Sequence, residues 1–203
     1  MSNDLSNKPS LRCRIAQVGV LLSCMPILGW MLDTPWLVRA SETHAAIVLP
    51  TAFSFTLVFI ALMLIERGRA EKLQRTLIFA VIGLVIAEQL YPDLHALPSI
   101  IGVARAMPAA IDGMSAATAI GFLLTALVLW RLQTNRDSTI ALAVSLFGLS
   151  SAVAILLGHS FEPASIYALP VFAELSQYTA ALFALFFATT LIPESEGALT
   201  PPV

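Results

Sequence analysis

Six apolar runs, each close to the length that crosses a membrane, dominate this 203-residue chain. A helix needs about 20 predominantly apolar residues to span a hydrocarbon core about 30 Å thick. The hydrophobic share of 58% and the charged share of 12% also lie far from the composition of a soluble domain. The sequence therefore predicts an all-α integral membrane protein with six transmembrane helices. The runs lie at about 15–32, 45–65, 76–91, 114–130, 139–158 and 175–192.

The basic residues flank these runs asymmetrically. Nine of the eleven fall on one side of the predicted membrane, and only Arg39 and Arg105 fall on the other. Because cytoplasmic loops are enriched in Lys and Arg, we expect both termini in the cytoplasm and the protein in a bacterial inner membrane. The expected layout is a tail at 1–14, a transmembrane domain at 15–193 and a tail at 194–203. The nine are Lys8, Arg12, Arg14, Arg67, Arg69, Lys72, Arg75, Arg131 and Arg136.

A short motif, Thr-Ala-x-x-Phe, recurs at the start of every second run. It reads TAFSF at 51–55, TAIGF at 118–122 and TAALF at 179–183. Internal repetition of this kind indicates a duplicated structural unit. We interpret the unit as a helical hairpin, with repeats at about 15–65, 76–130 and 139–192 and the motif opening each returning span.

The motif has the spacing of a packing surface. Residues four apart share a helix face, and alanine lets a neighbouring helix approach closely. Further small residues, among them Gly121 and Gly148, continue this pattern. We favour helix packing over direct ligand contact, which remains the alternative. The motif residues are Thr51, Ala52, Phe55, Thr118, Ala119, Phe122, Thr179, Ala180 and Phe183.

Longer stretches carry a resemblance to a known class of membrane region. These are IGLVIAEQLYPDL at 82–94, GMSAATAIGFLLTALVLWRL at 113–132, and ALAVSLFGLSSAVAILLGHSF followed by QYTAALFALFFATTLIPES. Together they resemble the multi-span sensor regions that precede bacterial diguanylate cyclases, cyclic-di-GMP phosphodiesterases and PAS-bearing histidine kinases. The resemblance implies a transmembrane sensory input module that relays an outer-side or membrane-borne signal to a cytoplasmic output.

Two departures from that pattern shape the expectation. Tyr178 stands where such regions often carry a histidine, so no role of that histidine transfers to this chain. The chain ends at ESEGALTPPV, without a cytoplasmic signalling domain. We therefore expect the output domain to act in cis, in a longer protein, or in trans.

The expected partners are the lipid bilayer and either a second copy of the chain or other membrane subunits. The alternatives are a structural or assembly subunit and a small transporter subunit.

Ionisable and polar groups near the predicted outer face suggest a ligand pocket. Glu88 lies about one turn before the end of its run, beside Gln89, where a carboxylate needs a partner or water. Arg105 in the following loop is a plausible ion-pair partner. We predict that Glu88 lines an outward-facing polar pocket among the hairpins, with Gln177 and Tyr178 across from it.

The sequence gives little indication of a metal site or of enzyme activity. His44, His95 and His159 fall near the outer ends of their runs, but no two have the spacing that brings ligands together on one helix. A metal or haem site on these histidines stays a minor alternative to no cofactor. Motifs for phosphate loops, nucleophile elbows and zinc proteases are absent from the sequence, so we expect no enzyme here. A net charge of −2 argues against nucleic-acid binding.

Overall fold

The computed structural model describes residues 10–39, 45–91, 113–161 and 175–193, apart from the side chains of 159–161. Within these residues the chain folds into six α-helices and one short 3-10 turn, Pro35–Leu37, with no β-strand. This confirms the predicted all-helical class. The helices are α1 Leu11–Met31, α2 Leu49–Glu66, α3 Glu71–Leu90, α4 Ala116–Thr134, α5 Thr139–Phe161 and α6 Gln177–Leu191.

Five of the six helices, α1 to α5, are long and apolar enough to cross a membrane. The chain is therefore a helical protein with membrane-spanning segments. The sixth helix is apolar but has only 15 residues, because Ser176 caps its start and Ile192 is extended at its end. At 1.5 Å per residue it spans about 22 Å, less than a typical hydrocarbon core. Six spans therefore stay a prediction.

Two helices, α1 and α3, begin in polar stretches ahead of their predicted apolar runs. Ser10 caps α1 by accepting a hydrogen bond from the Cys13 amide, which moves the start of α1 ahead of the predicted residue 15. Helix α3 starts at Glu71, five residues before the predicted run, and Glu71 forms an ion pair with Arg75 one turn later. Hydropathy alone misses such polar first turns because they lie at the membrane surface.

Helices α2, α4 and α6 contact one another and form the inner layer of the bundle. Each of the others packs against two inner helices: α1 against α2 and α6, α3 against α2 and α4, and α5 against α4 and α6. In the most apolar stretch of α2, 50% of the residues are buried, compared with 28% in α3 and in α5. The three inner helices are those that carry the Thr-Ala-x-x-Phe motif.

Aromatic rings sit directly on glycines where the helices meet. Phe59 of α2 covers Gly19 of α1, Phe187 of α6 covers Gly148 of α5, and Phe183 of α6 covers Gly121 of α4. Any Cβ at these glycines would overlap the ring. Helices in lipid associate mainly through such close packing, since lipid tails are as apolar as leucine.

We predict that Gly121→Ala destabilises the bundle by about 1–3 kcal/mol, because its Cβ would lie 2.5 Å from Cζ of the buried Phe183. The matched control is Gly83→Ala on α3, where no heavy atom lies within 4 Å of the added Cβ. The control variant should be neutral or more stable by up to about 1 kcal/mol, since alanine favours helix. Unfolding of both variants in mixed detergent micelles measures the difference. Equal stabilities would contradict the glycine–phenylalanine contact.

Candidate functional site

The three motif phenylalanines meet at the centre of the inner layer. The ring centroids of Phe55 and Phe122 are 4.7 Å apart, those of Phe55 and Phe183 are 4.7 Å apart, and those of Phe122 and Phe183 are 5.1 Å apart. All three rings are buried and inclined to one another, as aromatic pairs prefer. Side chains separated by more than 60 residues along the chain therefore form one aromatic cluster, the phenylalanine triad.

The threonines and alanines of the motif are also buried beside this cluster. Thr118 and Thr179 each bond to the serine that caps their own helix. Oγ1 of Thr118 is 2.9 Å from Oγ of Ser115, and Oγ1 of Thr179 is 2.8 Å from Oγ of Ser176. Each serine also accepts from the threonine amide, so both helix starts carry a side-chain cap.

Sequence reasoning missed these caps, although a Ser-x-x-Thr spacing precedes two of the three motifs. A serine before an apolar run is a known signal for a helix start, and its cap contributes about 1 kcal/mol. The first motif differs, because Val48 occupies the capping position and Pro50 lies in the first turn of α2. Proline is accommodated there since first-turn amides have no helical acceptor.

The residues of the predicted ligand pocket lie on different parts of the bundle. Glu88 is buried on α3, and Nε2 of the neighbouring Gln89 donates to the carbonyl of Met114 at 2.9 Å. Tyr178 lies on α6, where its hydroxyl donates to the carbonyl of Trp36 at 2.9 Å. Gln177 precedes it on α6, and Arg105 lies outside the described residues. Helix α3, which carries Glu88 and Gln89, packs on α2 and α4, whereas Gln177 and Tyr178 lie on α6. The five-residue pocket stays a prediction.

An apolar groove of about 240 Å³ opens between α4, α5 and α6. Its lining includes the glycines that receive phenylalanine rings and the rings themselves. Gly121 and Gly148 line this space beside the rings that cover them, together with small residues of α5 and α6. The central lining residues are Gly121, Gly148, Ser151, Ala180, Phe183 and Phe187. An apolar molecule bound there would touch Phe183 and therefore the phenylalanine triad.

A second apolar cavity, of about 230 Å³, lies between α1 and α6. Tyr178 and Trp36 line it on one side, and Pro26 lines it on α1. Proline has no N–H, so the carbonyl of Leu22, four residues earlier, cannot receive the usual helical bond from residue 26. The cavity therefore combines aromatic side chains with a local break in the helical hydrogen bonding.

Arginines at the opposite end of the bundle bind the ends of the inner helices. Nε of Arg12 donates to the carbonyl of Ile192 just past α6 at 2.6 Å, and its Nη1 is 3.5 Å from Oε1 of Glu66 on α2. The side chains of Arg12 and Glu66 are only 11% and 3% exposed, so water screens this pair weakly. Nη2 of Arg136 donates to the carbonyl of Ile65 at 2.7 Å. Cations at helix carboxyl ends stabilise them through the helix dipole.

Among the side chains that the structure describes, no three His, Cys, Asp or Glu residues form a group that could hold a metal ion. His44 and His95 lie outside the described residues, and so does the side chain of His159, whose backbone belongs to α5. The metal or haem alternative therefore stays a prediction. Cys13 and Cys24 on α1 are both free thiols.

Comparisons with protein-family models, with curated proteins and with solved structures found no match to this chain. The class of the protein is therefore taken from its fold alone. It is an all-helical membrane protein whose inner helices meet at an aromatic cluster. Its function must be inferred from the cavities and contacts of the bundle.

We predict that Phe55→Leu and Phe122→Leu are energetically coupled by about 0.5–1.5 kcal/mol, because the two rings pack at 4.7 Å. A double-mutant cycle in mixed micelles measures this coupling. The control pairs Phe55→Leu with Phe79→Leu, since Phe79 is exposed on α3. The control effects should add within about 0.5 kcal/mol. Additive effects for the Phe55 and Phe122 pair would show that the triad contributes no specific packing.

Proposed function

We propose that this chain is a transmembrane sensory input module. In this proposal all six helices span the membrane as three hairpins, with both termini in the cytoplasm of a bacterial cell. An apolar or membrane-borne signal enters the bundle and changes its packing, and the change passes to a cytoplasmic output of the diguanylate cyclase or histidine kinase type. The output domain acts in cis or in trans.

The observation that carries this proposal is the position of α6. Its first half lines the apolar groove through Ala180 and Phe183, and its far end is held by Arg12 through the carbonyl of Ile192. One helix of 15 residues therefore runs from the groove to the end of the bundle that Arg12 contacts. A molecule bound in the groove can therefore shift the position of that end directly through α6.

The packing supports a switch between two arrangements. Phe183 and Phe187 pack on glycines of α4 and α5. Such a contact has two arrangements, one with the ring packed on the glycine and one with the ring displaced from it, because closely packed interfaces shift between discrete states. A ligand that binds the groove more tightly in one arrangement shifts the population toward it. Displacement of α6 would also alter the contact between Arg12 and Ile192. That contact links α6 to α1 directly, and to α2 because Arg12 also pairs with Glu66.

We predict that Ser151→Leu on α5 changes the cytoplasmic output by about fivefold or more, because leucine would occupy part of the groove that Ser151 lines. The matched control is Ser150→Leu, one residue away on the exposed face of α5 and outside the groove. Cells lacking the natural gene are complemented with each variant. Cyclic-di-GMP and partner-kinase phosphorylation are then measured together with membrane abundance.

An output that responds to Ser151→Leu but not to Ser150→Leu supports the sensory proposal. Unchanged output from both variants, at normal abundance, would contradict it.

Purification from native membranes adds an independent test. Fixed stoichiometry with other membrane subunits, without any signalling enzyme, would favour the structural-subunit alternative instead.

A further inference from the structure

The cavity between α1 and α6 has a chemistry that the sensory proposal does not use. Its volume of about 230 Å³ is below the roughly 300–1,000 Å³ of most drug-sized ligand sites, so it suits one short chain or ring. Leu22 and Met25 line it on α1, and Ala181 and Leu182 line it on α6. No charged side chain in the described part of the protein lines it. Because burial of an ion without a partner is costly, the occupant should be neutral.

The cavity is reached from the lipid bilayer. Leu22 and Met25 are exposed on α1, a helix long and apolar enough to cross a membrane, so in a membrane they face lipid tails. Trp36 follows the end of α1 and is also exposed. Tryptophan is enriched where the hydrocarbon core meets water. A molecule dissolved in the membrane can therefore enter the cavity without crossing the protein core.

Pro26 leaves a carbonyl without its helical donor on this side of α1. Proline has no N–H, so the carbonyl of Leu22 receives no bond from residue 26. Residues four apart share a helix face, and Leu22 and Pro26 both line the cavity, so the interrupted bond lies beside it. The adjacent hydroxyl of Ser23 donates to the carbonyl of Val20 instead, at 3.0 Å. Inside a membrane, a carbonyl of this kind is stabilised by any group that donates to it.

A hydrogen bond joins the two sides of the cavity at the start of α6. The hydroxyl of Tyr178 donates to the carbonyl of Trp36 at 2.9 Å, and both residues line the cavity. This bond ties α6 to the segment that follows α1. The cavity is therefore formed by the fold before any molecule binds, as is usual for small-molecule sites.

From these contacts we infer that the cavity binds a neutral apolar molecule that carries a hydroxyl group. We call this cavity the hydroxyl site. The hydroxyl donates to the carbonyl of Leu22, and the apolar part packs against Met25 and Leu182. A hydroxyl is uncharged and donates one hydrogen bond, whereas an ether of the same length only accepts. The hydroxyl site should therefore bind an alcohol more tightly than the matching ether. This inference does not depend on the sensory proposal.

The experiment measures the binding of three brominated probes to the purified full chain in lipid nanodiscs, by quenching of tryptophan fluorescence. The probes are bromo-octanol with the bromine at the far end of the chain, its methyl ether, and bromo-octane. Trp36→Phe identifies the quenching that arises at the cavity, because Trp36 lines it. We expect the alcohol to bind about fivefold more tightly than the ether, as one hydrogen bond to an otherwise unpaired acceptor should give. Equal binding of the alcohol and the ether would overturn the hydroxyl site.

Pro26→Ala tests the acceptor directly, because alanine restores the amide that the carbonyl of Leu22 lacks. We expect the preference for the alcohol over the ether to fall from about fivefold to less than about twofold, with little change in the binding of the ether. The variant should fold, since alanine favours a helix interior and proline opposes it. A preference that persists in Pro26→Ala would contradict the inference.

The matched control for this variant is Pro50→Ala. Pro50 lies in the first turn of α2, where the restored amide has no helical acceptor, and it does not line the cavity. This control should keep the full preference for the alcohol. Equal loss of the preference in both proline variants would show that the carbonyl of Leu22 is not the acceptor.

A third variant tests where the alcohol binds. Ala181→Leu should weaken the binding of all three probes by about fivefold or more, because leucine would occupy part of the cavity that Ala181 lines. The control is Ala80→Leu, which lies on the exposed surface of α3 and outside the cavity. It should bind the probes as the unmodified chain does. Undiminished binding by Ala181→Leu would place the alcohol elsewhere and overturn the hydroxyl site.

Discussion

Close packing between aromatic rings and residues without bulky side chains is the constraint on which this bundle depends. In a bilayer, apolar burial does not distinguish a neighbouring helix from a lipid tail, so helices associate where their surfaces fit closely. Phe59, Phe183 and Phe187 each rest on a glycine of another helix. The phenylalanine triad then joins the three inner helices at one point. Two of these glycines, and the rings that cover them, also line the groove between α4, α5 and α6.

Polar contacts join the helices near both ends of the bundle, and Ser23 of α1 also bonds to Thr56 of α2 between them. At one end, Ser115 and Ser176 cap α4 and α6 and bond to the motif threonines. At the other end, Arg12 donates to the carbonyl of Ile192 just past α6, and Arg136 donates to the carbonyl of Ile65 in the last turn of α2. The aromatic contacts of the phenylalanine triad form a third set, which joins the three inner helices.

Much of the fold follows from the sequence, whereas the site follows only in part. The apolar runs predict the helical class, because length and hydropathy are local properties of the chain. The start of α3 at Glu71 and the shortness of α6 escape hydropathy, since polar first turns and caps set those limits. The motif indicates packing, but which rings meet depends on how the helices are arranged. The same holds for the contacts of Arg12 with Ile192 and of Arg136 with Ile65, whose partners are 180 and 71 residues away in the chain.

The contact between α1 and α6 has a consequence for how the protein is made. Arg12 and its acceptor Ile192 are 180 residues apart, so α1 is synthesised well before α6 can provide this carbonyl. At about 5–20 residues per second, that delay is roughly 10–40 s. Glu66 is synthesised much earlier and can neutralise Arg12 in the meantime. The contact between α1 and α6 therefore forms only after all the helices between them have been synthesised, and until then α1 is held by α2 alone.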